Sequence, residues 1–249
     1  MTFSTDSFTS SRRDGLECSV KVRYPISRYG KFPVIIFGGG SFGAKEFYDW
    51  VGEFLSANGY IVATYTVPNL FDGNDYMQWA NSISECIDYI TIKNNSRGDL
   101  SNKCDLDKIG VAGHSSGANG AFLAYPKDKR IKSIVALAPG YPDLPGNPDM
   151  LPLWELISNS SKDVDIPVQL QVGSEDGITT PMGSVRHFEQ LLGDKELYKI
   201  QGGCHVYFMD EGIVSMIATL FESSTPTIKH SYQLEVSKAK MLEWFEIYL

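Results

Sequence analysis

Five short runs in this chain are almost wholly apolar: residues 34–37, 61–65, 109–112, 134–138 and 168–172. A strand with one wet face alternates apolar and polar residues, so uninterrupted apolar runs predict strands covered on both sides, as in a parallel sheet. The segments between them carry helical spacing instead: Phe47, Trp50, Val51, Phe54 and Leu55, then Trp79, Ile83, Cys86, Ile87 and Ile90. Strand and helix in alternation predict an α/β fold with a mostly parallel central sheet, helices on both faces, and ligands at the carboxyl ends of the strands.

Upstream, Leu16, Cys18, Val20, Val22 and Tyr24 alternate with mostly polar residues and predict an antiparallel strand at the sheet edge. A helix over 234–248 closes the chain. Residues 140–165 hold four prolines and interrupt the alternation; they read either as a small cap over a site or as a solvated connection carrying one short helix. No repeat or linker divides the 249 residues, and 43% apolar content is enough for one large core, so a single domain over 1–249 is expected.

A formal charge of -8 argues against nucleic acid or an anionic membrane as partner, because both select clustered Lys and Arg. Residues 1–15 contain no apolar run of the length a secretory signal needs, and the chain reads as cytoplasmic. Cys18, Cys86, Cys104 and Cys204 are far apart, without a CxxC pair, and are expected to be buried free thiols.

The chemistry is concentrated after the third apolar run. Residues 109–118 (IGVAGHSSGA) pass from a strand through G-x-S-x-G into helix formers, the strand–turn–helix context of a nucleophile elbow. Ser115 is the expected nucleophile. A serine hydroxyl needs a base to take its proton, and on such an elbow the order is Ser, then acid, then His. Of four histidines, His114 lies inside the elbow and is expected to point away from Ser115. His187 fits an exposed helix face, and His230 follows a polar stretch. His205, in a two-glycine turn (GGCHVYF) after a short strand, is the expected base. The acid should follow the strand at 168–172, where GSEDG offers Asp176, preferred, with Glu175 as a solvated neighbour and Asp143 as an outside candidate.

An oxyanion needs preorganised backbone donors. One is the amide of Ser116; the second should come from the glycine-rich loop after the first apolar run, residues 37–43 (FGGGSFG). That loop lacks the Lys-Ser/Thr of a P-loop and the spacing of G-x-G-x-x-G, so a phosphate cradle is not expected. No histidines or cysteines stand at metal-ligand spacing, and no metal or cofactor is expected.

On these four stretches, residues 33–65, 109–122, 167–181 and 202–208, the chain resembles the dienelactone-hydrolase-like branch of the α/β-hydrolases, in particular the group of chlorophyllase, platelet-activating-factor acetylhydrolase and cutinase-like polyester hydrolases. The resemblance runs from about residue 21 to 221. It implies the α/β-hydrolase fold, an oxyanion hole from the amides of Ser41 and Ser116, and an acyl pocket lined by Phe42. Two departures stand out. Gly39 replaces the histidine that often opens the oxyanion loop, and Ser115 stands where dienelactone hydrolases proper carry cysteine. Tyr141, Tyr207 and Phe208 are further aromatics expected near the mouth, Tyr141 as a substrate contact.

The leading functional expectation is a carboxylesterase working on a small-molecule ester through an acyl-enzyme. A thioesterase, amidase or polyester hydrolase would use the same three residues. The alternative class is a non-catalytic scaffold of the same fold.

Overall fold

The computed structural model of the chain describes residues 3–11, 17–26, 30–72, 75–140 and 151–249. Among these described residues eight strands form one sheet: β1 (Phe3–Ser11), β2 (Glu17–Pro25), β3 (Phe32–Gly38), β4 (Ile61–Thr66), β5 (Cys104–His114), β6 (Ile131–Leu137), β7 (Val168–Gly173) and β8 (Lys195–Ile200), in the order β1-β2-β4-β3-β5-β6-β7-β8. β2 is antiparallel to both of its neighbours, and the other pairs are parallel. This is the α/β-hydrolase fold. All five apolar runs became strands of its interior.

The strand over 17–25 is not the edge. β1 pairs along its whole length, Phe3 with Pro25 through Ser11 with Glu17. Its sequence, FSTDSFTSS, has almost no hydrophobic alternation, because a strand at the rim needs partners for its backbone more than a buried face.

Among the described residues there are seven α-helices: α1 (Asp49–Ala57), α2 (Tyr76–Asn95), α3 (Ser116–Ala124), α4 (Leu151–Asn159), α5 (Pro181–Gln190), α6 (Ile213–Ala218) and α7 (His230–Tyr248). The two-residue period of a strand divides each apolar run between two cores. In β3, Val34 and Ile36 join Trp79, Ile83 and Phe122 of α2 and α3, while Ile35 and Phe37 join Trp50, Leu55, Trp244 and Phe245 of α1 and α7. Each large apolar side chain so enclosed contributes about 1.5–3 kcal/mol, and this two-sided cover holds the carboxyl ends of β3, β5 and β7 in line.

Residues 141–150, with Tyr141 and Asp143, lie outside the described residues. The rest of the proline-rich stretch contributes α4, beside Met77, Leu123 and Pro126, on the side of α2 and α3.

His187 is fully buried rather than on the surface. It sits within hydrogen-bond reach of the Ser161 hydroxyl (3.0 Å) through Nδ1 and of the Gly140 carbonyl (2.9 Å) through Nε2, and its ring packs on Phe122. These partners replace the water a surface histidine would keep. Burial pushes its pKa down to about 4, although the Gly140 carbonyl works against this. The unfolded chain titrates at about 6.5, so it binds the extra proton first as pH falls. His187 therefore costs nothing above pH 6.5 and removes up to roughly 3 kcal/mol of stability between pH 6.5 and 4. Glutamine at this position is expected to flatten that part of the melting-temperature profile; an unchanged slope in His187→Gln would mean that another group sets it.

Among the described residues, no helix is long and apolar enough to cross a membrane, and no group of three or more His, Cys, Asp or Glu stands ready for a metal ion.

Candidate active site

β5 delivers Ser115 through a turn that only small neighbours permit. A Cβ on Gly113 would lie 2.4 Å from the Gly117 backbone, and one on Gly117 would lie 2.1 Å from the Gly38 carbonyl. Ser115 itself takes φ 54°, ψ -116°, a conformation L-residues rarely adopt. Its amide is tied to Leu137 O (2.8 Å) and its carbonyl accepts from Ala118 and Asn119, so the surrounding backbone holds the strain.

Asp176 and His205 meet across the loops after β7 and β8, with Nδ1 of His205 2.9 Å from Oδ2 of Asp176. The carboxylate is surrounded by donors: the amides of Ile178 (3.0 Å) and Thr179 (2.8 Å) on Oδ1, and the Thr179 hydroxyl (3.0 Å) on Oδ2. Burial alone would raise the Asp176 carboxyl, but the charge and hydrogen bond of His205 and the two amides outweigh it and hold the group below its ordinary value. An ionised acceptor at Nδ1 places the imidazole proton there and leaves Nε2 with its lone pair free. His205 is held from behind by Gln233 of α7, whose side-chain amide accepts from Cys204 N (3.0 Å) and donates to Cys204 O (2.8 Å).

Ser115 and His205 line one cleft of about 590 Å³, together with Ser41, Phe42, Ser116, Thr179, Val206, Val214 and Phe221. Among the described residues no hydrogen bond joins the Ser115 hydroxyl to His205; such a bond often tightens only in the complex with substrate.

The amides of Ser41 and Ser116 donate to no protein acceptor among the described residues. Ser116 opens α3, where the first N–H groups have no partner in the helix. The Ser41 loop is braced from three sides. Trp79 Nε1 donates to Gly39 O (2.9 Å), Gly40 N donates to the Tyr48 hydroxyl (3.1 Å), and the hydroxyls of Ser41 and Ser116 stand 2.7 Å apart. Tyr48 also reaches Nδ1 of His114 (2.8 Å). His114 is buried between Tyr48, Phe208 and His205, and burial, with the His205 charge, pushes its pKa well down, so it stays neutral. Glycine at 39 thus leaves the loop to be held by Trp79 and Tyr48.

Of the expected mouth aromatics, Phe42 lines the cleft and is 60% exposed. The other two described ones do not: Phe208 is fully buried, and Tyr207 stacks on His230 with ring centroids 4.4 Å apart. Cys204 and the other three thiols are free and buried. Burial, with Glu222 nearby, pushes the Cys204 thiol up to about 12, which leaves it a poor nucleophile.

Residues 1–220 match the family described as PETase: PET hydrolase-like. The chain belongs to that family. Within the wider group its motifs resemble, it stands with the cutinase-like polyester hydrolases of the α/β-hydrolase fold. Over 119 residues, 47% of the chain, it is 25% identical to a protein named bis(hydroxyethyl) terephthalate hydrolase from Streptomyces coelicolor. The match spans 36% of that relative's length.

Several residues of the candidate site are not legible in the sequence. Thr179 had a signal, since a threonine three residues after an aspartate closes local side-chain to backbone turns. Tyr48 had none, because only the fold brings a residue between the first and second apolar runs under the elbow. The cleft wall from Val214 to Phe221 lies in a segment whose helical content the pattern did not reveal.

Proposed function

We propose that this protein is a serine hydrolase of carboxylic esters. The observation that carries the reading is the convergence, on one apolar cleft, of a strained Ser115 and a His205 whose Nδ1 is engaged by Asp176. Ser115 Oγ attacks the ester carbonyl while His205 Nε2 takes its proton. The resulting oxyanion receives the amides of Ser41 and Ser116, each worth about 2.7–4 kcal/mol in the transition state. His205 then protonates the leaving alcohol, and a water activated by the same imidazole releases the acid from the acyl-enzyme. Asp176 stabilises the imidazolium in both steps.

The substrate class we favour is an ester of an apolar or aromatic acid. Phe42, Ile178, Val206, Met209 and Phe221 give the cleft apolar walls, and the S. coelicolor relative is named for an aromatic diester. Rates on p-nitrophenyl butyrate, an acyl thioester, an anilide and a terephthalate polyester film test this. The highest kcat/KM is expected on the aryl ester, with measurable release from the film; a thioester or amide preference would displace the assignment. A purified protein that no fluorophosphonate labels and that turns over none of the four would point to a scaffold.

The cleft's outer wall supports a substrate presented from a hydrophobic body. Ile213, Met216, Ile217 and Leu220 are all exposed beside it, Leu220 at 82%. Such a contiguous apolar surface on a soluble domain usually meets a partner. Ile213→Ser combined with Leu220→Ser, neither of which lines the cleft, is expected to reduce film hydrolysis several-fold while leaving p-nitrophenyl butyrate turnover within about twofold. Equal losses on both substrates would count against a surface role.

A further inference from the structure

Asp176 and His205 stand on separate loops, and the sheet controls their separation only up to a point. Pairing of β7 with β8 ends at Gly173 and Ile200. It is extended by Ser174 N to Ile200 O (2.9 Å) and Glu175 N to Gly203 O (2.8 Å). No backbone bond joins the two loops beyond this, among the described residues.

One side chain from a third segment spans the gap. Gly177, directly after the acid, donates its amide to Oε2 of Glu222 (2.7 Å), and Val206, directly after the base, donates its amide to Oε1 of the same carboxylate (2.9 Å). The Ser223 hydroxyl donates to Gly177 O (2.9 Å), so both backbone groups of Gly177 are held by adjacent residues. The seating is close: a Cβ on Gly177 would lie 2.4 Å from Ser223 N. The two oxygens of a carboxylate are fixed relative to each other, so two amides bound to them are fixed as well, by charge-assisted bonds stronger than those between neutral groups.

We propose that Glu222 is a positioning residue that sets the Asp176–His205 distance by bridging the amides that follow the acid and the base. This rests on the serine-hydrolase reading above. Without the bridge the sheet and both cores persist, but the loop tips are tied, among the described residues, only by side chains of the β7 loop, Ser174 Oγ accepting from Gly202 N (2.8 Å) and Asp176 (2.9 Å) with Thr179 (3.1 Å) at His205 Nδ1. The Asp176–His205 bond loosens, and imidazolium stabilisation weakens at the moment of proton transfer. A displacement of about 1 Å in such a group can cost on the order of 100-fold.

The test compares Glu222→Ala, Glu222→Gln, Ser115→Ala and the charge control Glu211→Ala in one p-nitrophenyl butyrate assay. The low-field proton resonance of the His205 Nδ1–H is recorded on each folded protein. Glu222→Ala should lose on the order of 10- to 100-fold in kcat, with KM within about twofold and the resonance shifted or broadened. Glutamine keeps shape and one acceptor but turns an amino group toward the other amide, so Glu222→Gln should melt near wild type yet lose most of the same kcat. Glu211→Ala should change neither kcat nor resonance. If Ser115→Ala is inactive while both Glu222 variants keep wild-type kcat and resonance, the bridge is not a positioning device. If Ser115→Ala stays active, the underlying reading has failed instead. If alanine prevents folding, Glu222→Gln alone decides: wild-type kcat and resonance overturn the proposal, and a folded protein with reduced kcat supports it.

Discussion

Ser115→Ala is expected to lower kcat on p-nitrophenyl butyrate by roughly 10⁵- to 10⁶-fold while KM stays within a few-fold, because the hydroxyl forms a bond only after the substrate is bound. The other groups act through that hydroxyl, so the rate that remains would come from the amides of Ser41 and Ser116 and from binding in the cleft. Alanine at φ 54° keeps the strain of the native turn, so the variant should fold with the wild-type cleft. Ser115→Gly should be equally inactive but more stable than Ser115→Ala by about 1 kcal/mol, since glycine adopts this conformation freely. Activity titrations and thermal melts on the three proteins check both statements. Turnover retained in both variants would remove Ser115 from the mechanism.

The second large effect is expected at Asp176, where asparagine should reduce kcat by about 10⁴-fold. The substitution preserves shape, but an amide nitrogen facing His205 donates to Nδ1 and so favours the tautomer with its proton on Nε2, the atom that must accept one from Ser115. Stability should respond too. The folded Asp176 carboxyl titrates below its ordinary value, against an unfolded value of about 3.9. The stabilisation is thus fully present above that value and is lost as pH falls through the lower, folded one. Melting temperatures of wild type and Asp176→Asn should therefore differ most near neutrality and converge on acidification. Parallel curves down to pH 3, or wild-type kcat in the variant, would contradict the role assigned to this carboxylate.

The sequence carried most of the interior and much less of the rim. Apolar runs mark strands enclosed on both faces, and β3 through β7 are such strands. β1 has no such mark, since half of its backbone and none of its hydrophobicity distinguishes a rim strand from a polar loop. His187 misled for a related reason: helical spacing told which residues share a face, but not that a neighbouring loop would bring Ser161 and Gly140 over it. The same holds for Tyr207 and Phe208, which follow His205 by two and three residues. A 3₁₀ turn at Val206–Phe208 swings both rings away from the cleft.

Within the site, the division follows the range of the interactions. Ser115 with its flanking glycines, the run of amides after β3, and the loop positions of Asp176 and His205 are local matters of strand, turn and glycine placement, and the linear order of residues determined them. Their joint geometry was decided by tertiary structure alone. Tyr48 and Trp79 brace the Ser41 loop from helical segments, Gln233 holds Cys204 from 29 residues away in sequence, and Glu222 reaches Val206 across 16 residues and Gly177 across 45. Each of these is a single polar side chain whose partner is a backbone group or another side chain brought near by the fold. A backbone amide is the same at every residue, so no residue pattern along the chain announces which one a distant side chain will meet.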